Sequence, residues 1–275
     1  TTYDDDLRLA HVLADAVERV TMARFRSQDL AVETKPDLTL VSDADRAAEE
    51  LIRSQLSRTR PRDAVVGEEF EPTGHGPRRW IVDPIDGTHN FVRGVPVWAT
   101  LIALVVAEEP VMGLVAAPAL GRRWWAAKGS GAYAGRSLTS ATRIRTSGVQ
   151  RLADASISLS SVTSWDALGR TDAVLDLARD CWRQRAYGDF WSYMLLAEGS
   201  VDIAAEPELA LYDMAALAPI VTEAGGRFTS LDGTDGVFGG NALATNGHLH
   251  DPDLERIGKC AGSAPANVPA EAEFG

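Results

Sequence analysis

Between Ala64 and Ala127 the chain carries a succession of short apolar runs separated by short turns, and no other stretch constrains the fold as strongly. The runs are Ala64 to Val66, Trp80 to Val82, Val97 to Ala107, Val111 to Ala116 and Arg122 to Ala127, and each has the composition of a strand. Glu108-Glu109-Pro110 reads as a hairpin turn between two of them, since proline suits a turn and not a central ladder. Successive strands joined this way imply an antiparallel sheet covered by the elements that precede it.

Those elements are helical. From Asp4 to Phe25 the residues Leu9, Leu13, Ala16, Val17 and Val20 recur at helical spacing, with acids at the start that suit the helix dipole. A second helix begins at Ser42 or Asp43, either able to cap it, and buries Ala47, Ala48, Leu51 and Ile52. Lys35-Pro36-Asp37 reads as a turn between the two, and Gly129, Gly131 and Gly135 punctuate a turn region after the last strand. Beyond about Thr146 the pattern alternates. A strand at Ala155 to Ser160 is followed by a helix near Arg170 to Arg179, then by helices at Phe190 to Glu198 and Met214 to Ala224 with short strands between. Gly199 and Gly225-Gly226 stop the last two helices, and Pro219 is expected to kink the second of them. The expected architecture is therefore mixed, α+β passing into α/β. An N-terminal part, residues 1–145, is built on the antiparallel sheet, and a C-terminal α/β part spans 146–260, both within one compact unit. Residues 261–275, rich in Ala and Pro, are expected to be disordered.

Composition narrows the partners. A formal charge of −12 argues against nucleic acid or an anionic membrane, which need a basic stripe. Cys181 and Cys260 are too few for a disulfide framework and too far apart for a zinc motif. The first residues are acidic where a signal peptide would be basic, and the longest apolar stretch falls short of the ~20 residues of a membrane span. A reducing cytoplasm is the expected setting.

The chemistry concentrates at Asp83-Pro84-Ile85-Asp86-Gly87-Thr88-His89-Asn90-Phe91, directly after the strand Trp80 to Val82. Two carboxylates three positions apart leave the end of a strand and can face one metal cluster. The Ile85 carbonyl can add a hard oxygen of the kind Mg²⁺ prefers. If Thr88 opens a helix, the amides of Gly87 and Thr88 are free donors for a phosphate. Each acid alone has a plainer reading, Asp-Gly as a turn and Asp83 as a cap. Gly67-Glu68-Glu69 also follows a short strand, and a Glu-Glu pair by itself is a solvated loop as readily as a ligand. Asp213 precedes the helix Met214 to Ala224, where an N-cap would look the same. Lys35, beside Pro36, reads as a surface residue, with a place on the rim of an anionic site as the other reading. The five histidines show no metal-ligand spacing, and Ser158, Ser160 and Ser161 lack the context of a serine nucleophile.

In order and spacing, Gly67-Glu68-Glu69, Asp83 to Phe91, and Tyr212-Asp213 with Glu223-Ala224-Gly225-Gly226 resemble the inositol monophosphatase family of metal-dependent sugar phosphatases. That resemblance implies the layered αβαβα sugar-phosphatase fold and a homodimer. It implies that Glu68, Asp83, Asp86, Asp213 and the Ile85 carbonyl hold two or three Mg²⁺ ions. Gly87 and Thr88 would offer amides to the phosphate. Asp45, with Asp43 as its nearby rival, would orient the Thr88 hydroxyl, and Glu68 with Thr88 would place a water for in-line attack on phosphorus.

The family's substrate-selecting residues correspond to Arg185-Ala186-Tyr187-Gly188-Asp189-Phe190-Trp191 and Ile203-Ala204-Ala205-Glu206. Inositol-specific members place small neutral residues after the glycine that matches Gly188, whereas this chain has Asp189. The segments Arg185 to Phe190, Val92 to Trp98 and Arg122 to Trp125 resemble the histidinol-phosphate phosphatases of the family. Histidinol phosphate carries an amine and an imidazole, to which Asp189 and Glu206 can each offer a charge-assisted hydrogen bond, with Arg185 beside them. Asp189 can equally cap the following helix. His89 is a departure, at a position where relatives often carry lysine or another residue. An inositol or fructose-1,6-bisphosphate phosphatase is the nearest alternative, and a catalytically silent regulatory protein of the same fold a more distant one.

Overall fold

The computed structural model describes residues 2–36 and 39–258, except the side chain of Leu254. Asp37 of the expected turn, Cys260 and the expected disordered tail lie outside them.

Helix α1 (Asp4–Arg24) is followed by a small hairpin, β1 (Val32–Thr34) and β2 (Leu40–Ser42), and by α2 (Asp43–Thr59). Ser42 is the cap of α2. Its amide, at 2.8 Å, and its hydroxyl both donate to the carboxylate of Asp45, the third helical residue. Next come β3 (Ala64–Gly67), β4 (Arg78–Asp86), the short α3 (Thr88–Val92), β5 (Ala99–Val106), β6 (Glu109–Ala117), β7 (Arg122–Ala127), β8 (Gly131–Ser137) and β9 (Ser140–Ile144). These seven strands form one sheet in chain order, antiparallel throughout except for the parallel pair β3 and β4.

Alternation along the strands divides two cores. Trp80, Val82, Ile102, Leu104, Met112, Leu114 and Trp125 face α1 and α2, while Ile81, Leu101, Ala103, Val105, Val115 and Trp124 face the opposite way. On that second side lie α6 (Asp189–Ala197) and α8 (Leu217–Glu223), introduced in the chain after β10 (Ser156–Leu159), α4 (Val162–Ala167), α5 (Thr171–Asp180) and β11 (Arg183–Arg185). Between α6 and α8 come β12 (Ile203–Glu206) and α7 (Leu211–Met214); β13 (Arg227–Thr229), β14 (Ala242–Thr245) and α9 (His250–Gly258) complete the described chain. The second sheet, in the order β11-β10-β12-β14-β13, covers α6 and α8, and its far face packs Ile157, Ile203 and Leu243 against Trp165, Leu177 and Ile257. The layers run helix, sheet, helix, sheet, helix, as the mixed αβαβα expectation required.

Three local expectations are corrected. Pro110 is not in the hairpin turn. Ala107 and Glu108, both with positive φ, make that turn, and Pro110 sits in β6 where the register with β5 slips, a position that tolerates a missing donor. Gly131 and Gly135 belong to β8 and not to a turn region. A Cβ on Gly135 would lie 1.9 Å from the Ser140 carbonyl, so glycine there permits the β8–β9 bulge. The kink expected at Pro219 lies upstream of it. The helix divides at Ala215 and Ala216, which leaves Pro219 in the first turn of α8, where its lacking N–H costs nothing. None of the helices in the described residues is long and apolar enough to cross a membrane.

Candidate active site

Strand β4 reaches beyond its pairing with β5 at Asp83, skips, and pairs again at Asp86. That irregularity turns both carboxylates out of the sheet at its end. Pro84 and Ile85 fill the gap. Thr100 donates to the Pro84 carbonyl at 2.8 Å, and the Ile85 side chain is fully buried with Ala44, Phe91 and Trp98. Asp213, the third residue of α7, is held by the Ala210 amide at 2.7 Å. Oxygens of Asp83, Asp86 and Asp213 all lie within 4.8 Å of one another, so three of the acids read from the sequence as ligands converge from two distant segments.

Glu68 approaches from the end of β3. Its carboxylate accepts from Lys35 Nζ at 2.8 Å, and the same ammonium donates to Glu69 at 2.7 Å. Lys35 is therefore not a surface residue but a half-buried cation over the cleft. The outward reading fails because the β1–β2 hairpin folds its end across two acids.

Thr88 is buried in the first turn of α3, with its hydroxyl 3.1 Å from Asp45 Oδ1 and 3.0 Å from the Ile85 carbonyl. One hydroxyl proton serves both acceptors, so the oxygen keeps lone pairs with which to accept a hydrogen bond. The rival Asp43 points elsewhere, onto Arg24 at 2.6 Å. Gly87 adopts φ +82°, and a Cβ there would stand 3.0 Å from the Val97 carbonyl and 3.3 Å from Asp189 Oδ2. Glycine is needed on both counts. The first bond of α3 runs from Phe91 N–H to the Gly87 carbonyl, so the Gly87 and Thr88 amides precede the helical ladder.

Across the cleft, Asp189 takes φ +47° at the start of α6, a conformation aspartate tolerates better than most residues. It does not cap α6. The Phe190 amide at that end donates to Asp86 Oδ2 at 2.8 Å, while Asp189 Oδ2 accepts from Asn90 Nδ2 at 2.9 Å. Glu206, at the end of β12, faces Asp189 and the buried Tyr193 hydroxyl. Arg185 is not brought in. It is exposed on the edge strand β11 and donates to the neighbouring Gln184 carbonyl. His89 lies exposed near Asp189, whose carboxyl it draws down against the upward push of burial.

Burial and mutual repulsion dominate the electrostatics. Asp83 is pushed well above the usual carboxylate range by burial first and then by Glu68, Asp86 and Asp213. Asp86 is raised in the same way by burial and by Asp189 and Asp213, against the Phe190 amide. Burial lifts Asp213 to about 6, opposed by the Ala210 amide, and lifts Glu206 to about 8 with the help of Asp189. Glu68 is also raised by burial, with Lys35 opposing, and Glu69 reaches about 7 for the same reasons. Asp83 Oδ1 is buried without any hydrogen-bond partner. A converging set of hard oxygens with an orphaned lone pair and too few donors suits a divalent cation such as Mg²⁺.

Motif reading offered the cleft position of Lys35 only as its second reading, and gave no role to Glu69, Asn90 or the pair Glu49–Arg53 beneath the Glu68 loop. The last had a signal. Asp45, Ala48, Glu49, Ile52 and Leu56 all lie on the buried stripe of α2, and an acid on such a stripe with arginine four residues on marks an interior ion pair.

A model of the inositol monophosphatase family matches residues 3–260. A histidinol-phosphatase of Streptomyces coelicolor is 66% identical over 253 residues, covering 90% of this chain and 95% of that protein. One from Mycobacterium tuberculosis is 55% identical, covering 92% and 98%. Among solved structures, an IMPase of Thermotoga maritima superposes with a TM-score of 0.82 at 30% identity, covering 92% of this chain and 97% of its own.

Proposed function

The chain belongs to the inositol monophosphatase family, and from that premise we propose that it hydrolyses histidinol phosphate to histidinol and phosphate with Mg²⁺ as cofactor. The observation that carries the reading is the convergence of Asp83, Asp86 and Asp213, with Glu68 beside them, around an unpartnered buried oxygen. When bound there, Mg²⁺ would lower the pKa of water and neutralise charge on the phosphate and the departing oxygen. Two or three ions are the proposed complement, held by those four carboxylates and the Ile85 carbonyl.

The protein's own groups do the rest. Asp45 and the Ile85 carbonyl engage the Thr88 proton, so the Thr88 oxygen is left to accept from the attacking water and hold it in line with phosphorus. Glu68 takes part in the same orientation and is placed to receive the water's proton. Gly87 and Thr88 offer their amides to phosphate oxygens. The water's oxygen bonds to phosphorus as the bond to the histidinol oxygen breaks, and the proton that Glu68 takes from the water passes to that oxygen, which leaves as the alcohol.

Substrate choice rests on the far wall. Asp189 and Glu206 form a half-buried acidic patch beside Tyr193, which suits the amine and imidazole of histidinol, whose positive charge would favour the ionised carboxylates, and disfavours a neutral or second anionic tail. Arg185, exposed on β11, has no geometric support for a direct substrate contact within this chain. The assembly proposed is a homodimer, which sedimentation equilibrium tests.

The deciding experiment is a steady-state panel in Mg²⁺ of histidinol phosphate, inositol 1-phosphate, fructose 1,6-bisphosphate and glycerol phosphate. The proposal expects the highest kcat/KM for histidinol phosphate by at least about tenfold, the worth of one charge-assisted bond. A higher value for either sugar ester would contradict it.

A further inference from the structure

The loop that carries Glu68 is held in place by two side chains of α2 that no motif includes. Strand β3 pairs with β4 only as far as Gly67, so the ladder ends one residue before Glu68. From there Glu49 and Arg53 supply the bonds. Glu49 Oε2 accepts the Glu69 amide at 2.7 Å, Glu49 Oε1 accepts Arg53 Nε at 2.7 Å, and Arg53 Nη2 donates to the Phe70 carbonyl at 2.9 Å. Arg53 also reaches the Thr73 hydroxyl at 3.2 Å. Glu49 is wholly buried. Gly67 lies flat against its carboxylate, since a Cβ there would stand 2.0 Å from Glu49 Oε1. No other residue fits at position 67 while Glu49 keeps its place.

We propose that Glu49, braced by Arg53, is a positioning residue that sets the Glu68 carboxylate against Asp83, Asp86 and Asp213 and so tunes the affinity of the site for Mg²⁺. This rests on the metal reading given above. A buried carboxylate is costly unless fully bonded, and here its bonds go to a backbone amide adjoining Glu68 and to an arginine that ties the next carbonyl. Glu68 therefore has little freedom to swing away, and the divalent cation meets a ligand already in position. Glu49 touches neither cation nor substrate; it acts through the loop.

The test measures Mg²⁺ affinity by calorimetric titration of the full chain in the absence of any ester, beside its thermal midpoint. Glu49→Gln keeps the shape but turns an amide N–H toward Arg53, and it should weaken Mg²⁺ binding by about tenfold to a hundredfold. Asp63→Asn is the matched control. Asp63 is another buried acid, bonded to Arg78 and Trp80, and its loss should lower the midpoint without changing Mg²⁺ affinity. Should Glu49→Gln fail to fold, Arg53→Lys keeps the charge, drops the bond to the Phe70 carbonyl, and should still weaken binding severalfold. Mg²⁺ affinity within twofold of wild type in the folded variant, or an equal loss in Asp63→Asn, would overturn the proposal. Absence of Mg²⁺ binding by the wild-type chain would instead overturn the metal reading, and this inference with it.

Discussion

The chain buries acids in two contrasting ways. At the corner between α1, α2 and the start of β4, Asp6 is bonded to Arg60 and Arg78 at 2.9 and 3.0 Å, and Asp63 to Arg78 and the Trp80 indole at 3.2 and 3.0 Å. Every acid there has a donor. In the cleft, Asp83, Asp86, Asp213 and Glu68 face one another, and the nearest cation, Lys35, is shared between Glu68 and Glu69. The first arrangement completes itself and adds to the fold. The second is under electrostatic strain that is relieved by protonation or by an added cation, and strain of that kind belongs to a site and not to a scaffold.

Exchanging one acid on each side gives the sharpest contrast. Asp83→Asn or Asp213→Asn should lower kcat/KM by at least about a thousandfold, as loss of a charged metal ligand removes several kcal/mol of transition-state stabilisation. Metal-free, each variant should melt no lower than wild type, because one of several like charges has gone. Asp63→Asn should do the reverse, keeping turnover while losing about 1 to 2 kcal/mol of stability, as the charged bonds of a part-buried pair are weakened. Urea unfolding with chelator, beside initial rates, separates the two patterns.

Smaller effects sharpen the picture within the cleft. Thr88→Ala should reduce kcat by about a hundredfold with little change in KM, since its hydroxyl acts on the attacking water and not on ester binding. A rise in KM alone would make Thr88 a phosphate ligand. Asp189→Asn should cost about one order of magnitude in kcat/KM for histidinol phosphate and much less for glycerol phosphate. Equal losses on both esters would make Asp189 a structural partner of Asn90.

The mildest effect is one of pH. An acid whose folded pKa lies above its unfolded value keeps its proton in the folded state after the unfolded chain has released it. Its stabilising contribution is thus complete below the unfolded pKa and is lost as pH rises through the folded one. With Asp213 at about 6, Glu69 at about 7 and Glu206 at about 8, metal-free protein should weaken from about pH 4.5 to pH 8, by at most about 1.4 kcal/mol per unit for each group titrating. His11 and His250, lowered to about 4 chiefly by burial, carry the opposite sign, with their contribution lost as pH falls from 6.5 to about 4. Denaturant midpoints across pH 4 to 9 with chelator would show the slope, and a flat profile above pH 5 would count against the repulsive cleft.

The two kinds of acid were not equally legible in the sequence. Asp83 and Asp86 stand out because a strand end, a proline and a glycine surround them within five residues. Asp213 and Glu68 gained meaning only beside that motif. The first sheet was readable from its apolar runs through β7, but β8 and β9 were not, since their glycines and polar residues read as turn until Gly135 is seen against Ser140. Pro219 misled because its position in a helix depends on where the helix starts, and a packed pair of alanines set that start. Lys35 and Glu49 were less legible for a different reason. Lys35 offered a rim position only as a second reading, because the fold-back of the β1–β2 hairpin that decides it leaves no local pattern, and Glu49 depends on the contact of α2 with a loop about twenty residues on.

The central claim is that the cleft acids form a divalent-cation site, and thermal unfolding of the chelator-treated protein at pH 8 with added Mg²⁺ tests it most directly. Ligand binding to the folded state alone raises stability by RT ln(1 + [L]/Kd), about 2.7 kcal/mol at a hundredfold excess over Kd. The account predicts a midpoint that climbs with Mg²⁺ in the wild-type protein and stays flat in Asp83→Asn. A wild-type midpoint indifferent to Mg²⁺, or an equal rise in both proteins, would contradict it.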